Sequence, residues 1–425
     1  MKIINLYEGE GVLVSGPARI VVSVGAVEVF GRMCEAGDAF VVTYGKTYPL
    51  QALSNAKLEL FLGSSNEYVR VKERLIPKEW NGLANLMMNG GRKVAMILGD
   101  TDTGKSSLVL YTANRLCSAG YKIAVVDADV GQSDVGPPGV IGLCLVESPT
   151  ISLMDVPLLT GYFVGDKNPS GHFLSMVLGT KRMVDEALKS EAEVILIDTT
   201  GMVHGGPARA LKEKKIEAVS PDIIVALQRG REIEHLLTPL KGRFRILRFP
   251  VPTKMVSTSR KERIALRGFS MRKHVKGIKQ LTLNLDRIIL RETFLGTGVV
   301  KPGMKGELSE ILKCEVLHVE EASDVLITVV KGVYAREGVS KLRENYDKEV
   351  RLAMVAWLER LILGLLNEDE RLLGIGFLES LNFNNKQFIV STSLRDENAV
   401  KYVKFGYLRV DEDGNEMGRR EIGTI

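Results

Sequence analysis

Cysteine, histidine and tryptophan are scarce in this chain of 425 residues, which holds four, five and two of them. The cysteines, at 34, 117, 144 and 314, are too dispersed for a CxxC metal knuckle and too few for a disulfide framework at this length. They are expected as buried apolar filler. The histidines, at 172, 204, 235, 274 and 318, show neither HxxxH nor HExxH spacing, which argues against a structural zinc site. No apolar run approaches the ~20 residues of a membrane span. The greasiest segment, from Met354 to Leu366, carries Glu359 and Arg360 inside it. The amino terminus reaches Glu8 and Glu10 with no small-residue cleavage pattern, so no secretory signal is read and a cytoplasmic address is expected.

What is present is an ordinary globular composition, 45% hydrophobic and 26% charged, with length for two or three domains. The net charge of +5 is modest, but its distribution is not. Between Lys241 and Lys279 thirteen lysines and arginines face a single acid, Glu262. A solvated helix face would intersperse acids at i,i+4, so this segregation points to a polyanion partner, a nucleic acid or a nucleotide phosphate chain.

Along the chain the text changes twice. Residues 1–85 alternate short Val, Ile, Phe and Tyr runs at period two with Gly, Pro and Asn turns, expected as a small antiparallel β domain, and a short helix follows Pro77. Residues 86–283 alternate buried-type strands (VAMILG, IAVVDAD, VILIDTTG, DIIVALQ) with helices, the pattern of a parallel sheet covered on both faces. Residues 284–425 return to strand-like text around one expected helix over Lys348–Leu366, a second β-rich domain. The fold class expected is therefore α/β, a central P-loop NTPase domain with a parallel sheet, flanked by amino- and carboxy-terminal β-rich domains.

The chemistry is concentrated in G-x-x-x-x-G-K-S. Gly99, Asp100, Thr101, Asp102, Thr103, Gly104, Lys105, Ser106 and Ser107 run from an apolar strand into a helix. Glycines there let backbone N–H groups face phosphate oxygens, the lysine reaches the β and γ phosphates, and the serine hydroxyl ligates Mg²⁺. ATP and Mg²⁺, or another divalent cation, are the expected cofactors. The next strand ends in DADVGQ, where Asp127 and Asp129 at i,i+2 are expected to face one side beside the P-loop and to hold metal or accept a proton. One strand on, Asp198 of DTTG stands where a second acid would orient the metal. Guanine specificity is disfavoured because no N-K-x-D box occurs, NKQF at 385–388 lacking its aspartate. A signature-lysine switch ATPase is weakened because Asp100 stands after the first glycine.

At TDTGKSS (101–107), DADVGQ (127–132), DTTG (198–201) and RKER (260–263) the chain resembles the polynucleotide 5′-hydroxyl kinases. That family includes a subunit of the pre-mRNA cleavage factor and a ribosomal-RNA-processing kinase, and its archaeal single-chain members look closest. The resemblance spans all three segments. It implies ATP-dependent phosphorylation of a 5′-OH end of RNA, with DNA as a further candidate, in RNA processing or repair. By position it implies Lys105 and Ser106 as phosphate and Mg²⁺ ligands, Asp129 as the residue that activates the hydroxyl, Gln132 as its assistant, and Asp127 as a metal-shell residue. SRKERIALRG resembles the family's lid, which brings Arg260 and Arg263 over the transferred phosphoryl group, with Arg267 one turn on. Such arginines are worth on the order of 10³-fold or more. Ser170, His172 and Thr200 are substrate-binding candidates. Two places depart from eukaryotic members: Pro169–His172 replaces a Thr/Asn-bearing clasp, and Met202 replaces an aromatic residue that could pack on a base. His204 with Gly205 and Gly206 reads as a flexible turn. The rival expectations are an ATP-bound scaffold subunit of an RNA-processing complex with little turnover, and a kinase or switch ATPase that does not act on nucleic acid. Oligomeric state and protein partners are left open.

Overall fold

The computed structural model describes residues 1–63, 68–88, 90–252, 254 and 258–420. It divides into two compact units, Met1–Val164 with Asn168–Ser270, and Gly165–Lys167 with Met271–Ile425.

In the first unit, the period-two text at the start forms two antiparallel sheets. One has four strands in the order Lys2–Leu6, Ala56–Leu62, Ala18–Val24, Ala39–Val42. The other has five, in the order Arg32–Glu35, Ala26–Val29, Thr47–Ala52, Gly11–Ser15, Tyr68–Val71. Alternation along Thr47–Ala52 buries Tyr48, Leu50 and Ala52 on one face, as a half-solvated strand requires. These faces share a core with helix α1 (Glu79–Met88), through Trp80, Leu83 and Met87, and with the helix after the P-loop, through Leu110 and Tyr111. Asn114 Nδ2 ties the two parts together by donating to Phe30 O at 2.8 Å.

The rest of this unit is built from β1 (Lys93–Gly99), α2 (Lys105–Ser118), β2 (Ile123–Ala128), β3 (Val140–Val146), β4 (Thr160–Phe163), α3 (Phe173–Lys189), β5 (Val194–Thr199), α4 (Gly205–Val219), β6 (Ile223–Gln228), β7 (Arg245–Pro250) and the part of α5 (Arg260–Val275) up to Ser270. The sheet order is β4-β3-β2-β5-β1-β6-β7. The five strands from β2 to β7 pair in parallel, and β2, β5 and β6 are buried at every position, which is why they read as continuous apolar runs. β3 and β4 add an antiparallel edge that lies outside the expected strands. Gly205 and Gly206, expected as a flexible turn, open α4 instead.

In the second unit one sheet runs Lys279–Asn284, Gln387–Thr392, Leu372–Asn382, Leu361–Leu366, Tyr402–Val410, Ile289–Arg291, with Glu416–Arg419 paired to Tyr402–Val410. A four-stranded sheet runs Val299–Val300, Glu315–Glu321, Val325–Lys331, Glu349–Met354. The expected helix over 348–366 is corrected here: Glu349–Met354 and Leu361–Leu366 are strands joined by the single turn Val355–Leu358. Leu361, Ile362, Leu363 and Leu365 are all fully buried. An apolar run of a strand buried on both faces imitates a buried helix in periodicity; Arg360, at φ 60°, breaks it. Two helices, Lys305–Leu312 and Arg336–Tyr346, were not expected. Of the cysteines, Cys34 and Cys144 are buried and Cys117 and Cys314 half-buried, all four as free thiols.

Candidate active site

Strand β1 delivers its last residue to the rim of the sheet, and the chain must then turn sharply into α2. Gly104 makes that turn in the left-handed region, at φ 90°, a conformation costly for residues with a Cβ. The opening N–H groups of α2 are left without intrahelical partners, a ready anion site. Thr103 Oγ1 donates to Asp100 O at 2.9 Å and Lys105 Nζ to the same carbonyl at 2.7 Å, so the buried lysine lies folded along the loop. Arg229 Nη2 braces the outside by donating to Asp102 O at 2.7 Å. His204 Nε2 lies 3.1 Å from Asp100 Oδ2. Against the cost of its burial, the His204 and Thr101 hydrogen bonds hold Asp100 below the usual carboxylate range.

Parallel register sets Asp127 directly beside Asp198 at the ends of β2 and β5. Both are buried. Ser106 Oγ donates to Asp198 Oδ2 at 2.5 Å. Burial pushes Asp198 up to about 6, although Lys105 and Ser106 pull it the other way. Burial, then the charges of Asp198, Asp134 and Asp129, push Asp127 well above its ordinary value.

Asp127 and Asp129 do not face one side as the i,i+2 spacing predicts. β2 ends at Ala128, so the alternation stops before Asp129. Asp127 turns inward: Oδ1 accepts from Asp129 N at 3.0 Å, and Oδ2 accepts from Asp134 N at 2.6 Å, Val135 N at 3.1 Å and Ser133 Oγ at 3.2 Å. It clamps the loop that carries Asp129. Asp129 Oδ1 accepts from Gly131 N at 3.1 Å and Gln132 N at 3.2 Å.

A cavity of about 580 Å³ opens over the P-loop, within the range of small-molecule sites. Of the residues singled out in the sequence, Thr101, Asp102, Gly104, Lys105, Ser106, Ser107, Asp129, Gln132, Thr200 and Arg263 line it. Gln132 Nε2 donates to Arg263 O at 3.4 Å, which links the DADVGQ loop to α5. Ser259 and Glu262 start α5 with reciprocal bonds, Ser259 N to Glu262 Oε2 at 2.7 Å and Glu262 N to Ser259 Oγ at 3.2 Å, a capping box. Gly99 and Thr103 sit behind the loop, the Cβ position of Gly99 meeting Thr103 Oγ1 at 2.5 Å. Arg260 is exposed at the start of α5, and Arg267 lines a small neighbouring pocket with Lys46, Gln132 and Asp134. Pro169 reaches the cavity wall. Ser170 is exposed, and His172 is buried at the start of α3, its N–H donating to Pro169 O at 2.9 Å.

Sequence reasoning missed the opposite wall. Phe30, Tyr44, Lys46, Pro49 and Trp80 line the cavity from the amino-terminal strands and α1. Lys46 Nζ grips both oxygens of Asp134 at 2.8 and 3.1 Å. No motif marks these residues, since turn text such as YGKTYP carries no phosphate pattern; only the fold brings them to the site.

Two predictions arise here. A Cβ on Gly201 would stand 2.5 Å from Thr101 Oγ1 and 2.8 Å from Thr101 N. Gly201→Ala must therefore displace the P-loop backbone, and thermal melts should show a loss of about 1–3 kcal/mol together with weakened nucleotide binding; unchanged melts would contradict this packing. The second concerns pH. An unfolded aspartate titrates near 3.9, whereas Asp198 in the fold is raised to about 6. The native state then holds the extra proton, so the stability tied to Asp198 is complete below about pH 4 and lost as pH rises through about 6. Asp198→Asn should raise the Tm of the protein, measured without nucleotide or metal, more at pH 8 than at pH 5; an equal change at both would contradict it.

Residues 99–277 match the family model described as mRNA cleavage and polyadenylation factor CLP1 P-loop. Over 325 residues the chain is 36% identical to the polyribonucleotide 5′-hydroxyl-kinase of Pyrococcus furiosus, covering 76% of this chain and 89% of that one. Over 334 residues it is 32% identical to the polyribonucleotide 5′-hydroxyl-kinase of Methanocaldococcus jannaschii, covering 78% and 90%. The solved structure of the wild-type Clp1p–Pcf11p complex matches with a TM-score of 0.66 at 13% identity, over 96% of this chain and 97% of that one, which shows a common fold. With more than three-quarters of its length aligned above 30% identity to these archaeal enzymes, the chain belongs to the polyribonucleotide 5′-hydroxyl-kinase family.

Proposed function

We propose that this chain transfers the γ-phosphoryl group of ATP to the 5′-hydroxyl end of RNA, in RNA processing and in the cytoplasm. The observation that carries this reading is that Asp129, Gln132 and Arg263 line one cavity together with Lys105 and Ser106. Phosphoryl transfer asks for positioning, charge neutralisation and a proton acceptor. In this reading the P-loop N–H groups hold the phosphates, and Lys105 exchanges the Asp100 carbonyl for β- and γ-phosphate oxygens. Asp129 takes the proton as the 5′-oxygen bonds to the γ-phosphorus and the bond to the β–γ bridging oxygen breaks. Arg263 stabilises the charge of the transition state, with Arg260 and Arg267 joining from the same helix. The aromatic and aliphatic wall from residues 1–85 takes the nucleoside, 86–283 carries the chemistry, and 284–425 forms a third, β-rich part.

Ser106 and Asp198 offer oxygen donors only, the kind a hard cation prefers. Among the described residues no group of three or more His, Cys, Asp or Glu side chains could hold a metal by itself, which fits a cation whose shell is completed by phosphate oxygens and water. Mg²⁺ bound there would neutralise charge on the β and γ phosphates. Asp127, saturated by donors from its own loop, is assigned to holding Asp129 in place.

The test is transfer of label from γ-labelled ATP to 5′-OH oligoribonucleotides and oligodeoxyribonucleotides side by side. Labelled RNA ends support the kinase; equal labelling of DNA extends the substrate class. ATP retained with no transfer supports the scaffold. A scaffold, however, has no use for a carboxylate facing the phosphate cavity. Among the described residues no helix is long and apolar enough to cross a membrane.

A further inference from the structure

Helix α4 carries two lysines, Lys212 and Lys215, that are fully buried. Long cationic side chains normally keep their heads in water, so two of them three residues apart on one buried helix face need a reason. Lys212 has one in view: its Nζ donates to Thr200 O at 2.6 Å and Thr200 Oγ1 at 3.3 Å. It thereby ties down the loop after β5, whose Gly201 lies against Thr101 of the P-loop. Among the described residues Lys215 Nζ meets no hydrogen-bond acceptor. A buried polar group left in that condition is costly unless charge compensates it.

The compensation lies at the ends of β2 and β5. The acids that act on Lys215 are Asp129, Asp127 and Asp198, in that order. Asp127 and Asp198 are neighbours in register, and after burial the charge of Asp198 does most to push Asp127 up. Lys212 and Lys215 thus share the buried face of α4 that meets the Thr200 loop just after Asp198, and Asp129 lines the cavity. We infer that Lys212 and Lys215 are positioning residues of the phosphoryl-transfer site, Lys212 by pinning the Thr200–Gly201 loop and Lys215 by offsetting the repulsion among Asp127, Asp129 and Asp198. This assignment rests on the kinase reading. Burial pushes Lys215 down to about 8, with Asp129, Asp127 and Asp198 acting in the opposite sense, and burial with the charges of Lys215 and Lys105 pushes Lys212 well below its ordinary value.

The experiment compares Lys212→Met, Lys215→Met and Lys215→Arg with the wild-type full chain, reading Tm, nucleotide affinity, and kcat and KM in the transfer assay. Methionine keeps the apolar stem and removes the charge. Lys214→Met is the control on the same helix, since Lys214 is exposed and pairs with Glu217. Displaced catalytic groups cost on the order of 10²-fold, so Lys215→Met should lower kcat by about 10- to 100-fold while KM for ATP stays within about twofold. Its Tm should fall, because removing the cation leaves Asp127, Asp129 and Asp198 to repel one another without compensation. Lys215→Arg should recover part of kcat. Lys212→Met should lower kcat and raise KM for the RNA end. A folded Lys215→Met variant with wild-type kcat would overturn the assignment, as would a Tm loss in both methionine variants with kcat unchanged in the folded fraction. If Lys215→Met does not fold, Lys212→Met decides: wild-type kcat and KM there overturn the proposal. Wild-type protein that transfers no label would remove the kinase reading itself, and this assignment with it.

Discussion

Lys105→Ala is expected to abolish label transfer, with a fall in kcat of on the order of 10³-fold or more. Lys105 is 7% exposed, and its ammonium is held at 2.7 Å by the Asp100 carbonyl, a contact any phosphate oxygen can replace with a stronger, charge-assisted one. Burial raises Asp198, beside Ser106, and Lys105 pulls against that rise, so the lysine both meets the phosphates and balances the acid behind them. Alanine removes both effects. Nucleotide affinity should fall as well, which separates this variant from one that only slows chemistry. Arginine is not a substitute, because its planar fork cannot follow the lysine stem along the inside of the loop. Transfer at more than about a tenth of the wild-type rate in a folded Lys105→Ala protein would contradict the assignment of the P-loop to catalysis.

The parts legible in the sequence were those in which local pattern and tertiary role coincide. β1, β2, β5 and β6 are strands buried on both faces, and such strands announce themselves as unbroken Val/Ile/Leu/Ala runs. The P-loop is legible because its glycines and lysine are demanded by backbone geometry within nine residues. Where role depends on partners far away in sequence, the text is silent. Lys46 meets Asp134 across 88 positions, and Lys212 and Lys215 look like surface residues of a charged helix, KEKK, until the fold buries them. Asp127 shows the converse failure. Its spacing from Asp129 predicts a shared face only for a strand that continues, yet β2 stops one residue earlier, at Ala128, and that single boundary decides which carboxylate faces the cavity. Helix and strand are hardest to tell apart in short apolar runs, as Leu361–Leu366 shows.

That boundary leads to the second large effect. Asp129→Asn should lower kcat by about 10²- to 10⁴-fold, the range for loss of a general base, while leaving Tm and ATP affinity near wild type. Asparagine keeps an oxygen at the position where Asp129 Oδ1 accepts from the Gly131 and Gln132 N–H groups, so the turn that presents the side chain survives. What disappears is the capacity to take a proton from the incoming hydroxyl. Asp127→Asn makes the opposite prediction. Its Oδ2 accepts three donors, two of them backbone N–H groups at 2.6 and 3.1 Å, and an amide can serve only one side of that carboxylate with oxygen. Turning its amide nitrogen toward either side sets donor against donor and leaves buried N–H groups unsatisfied, at about 1–3 kcal/mol. Asp127→Asn should therefore lose stability first and activity as a consequence, with the loss of transfer following the unfolded fraction across temperature. Equal Tm values for the two variants, or full transfer by Asp129→Asn, would reverse the roles assigned to these two carboxylates.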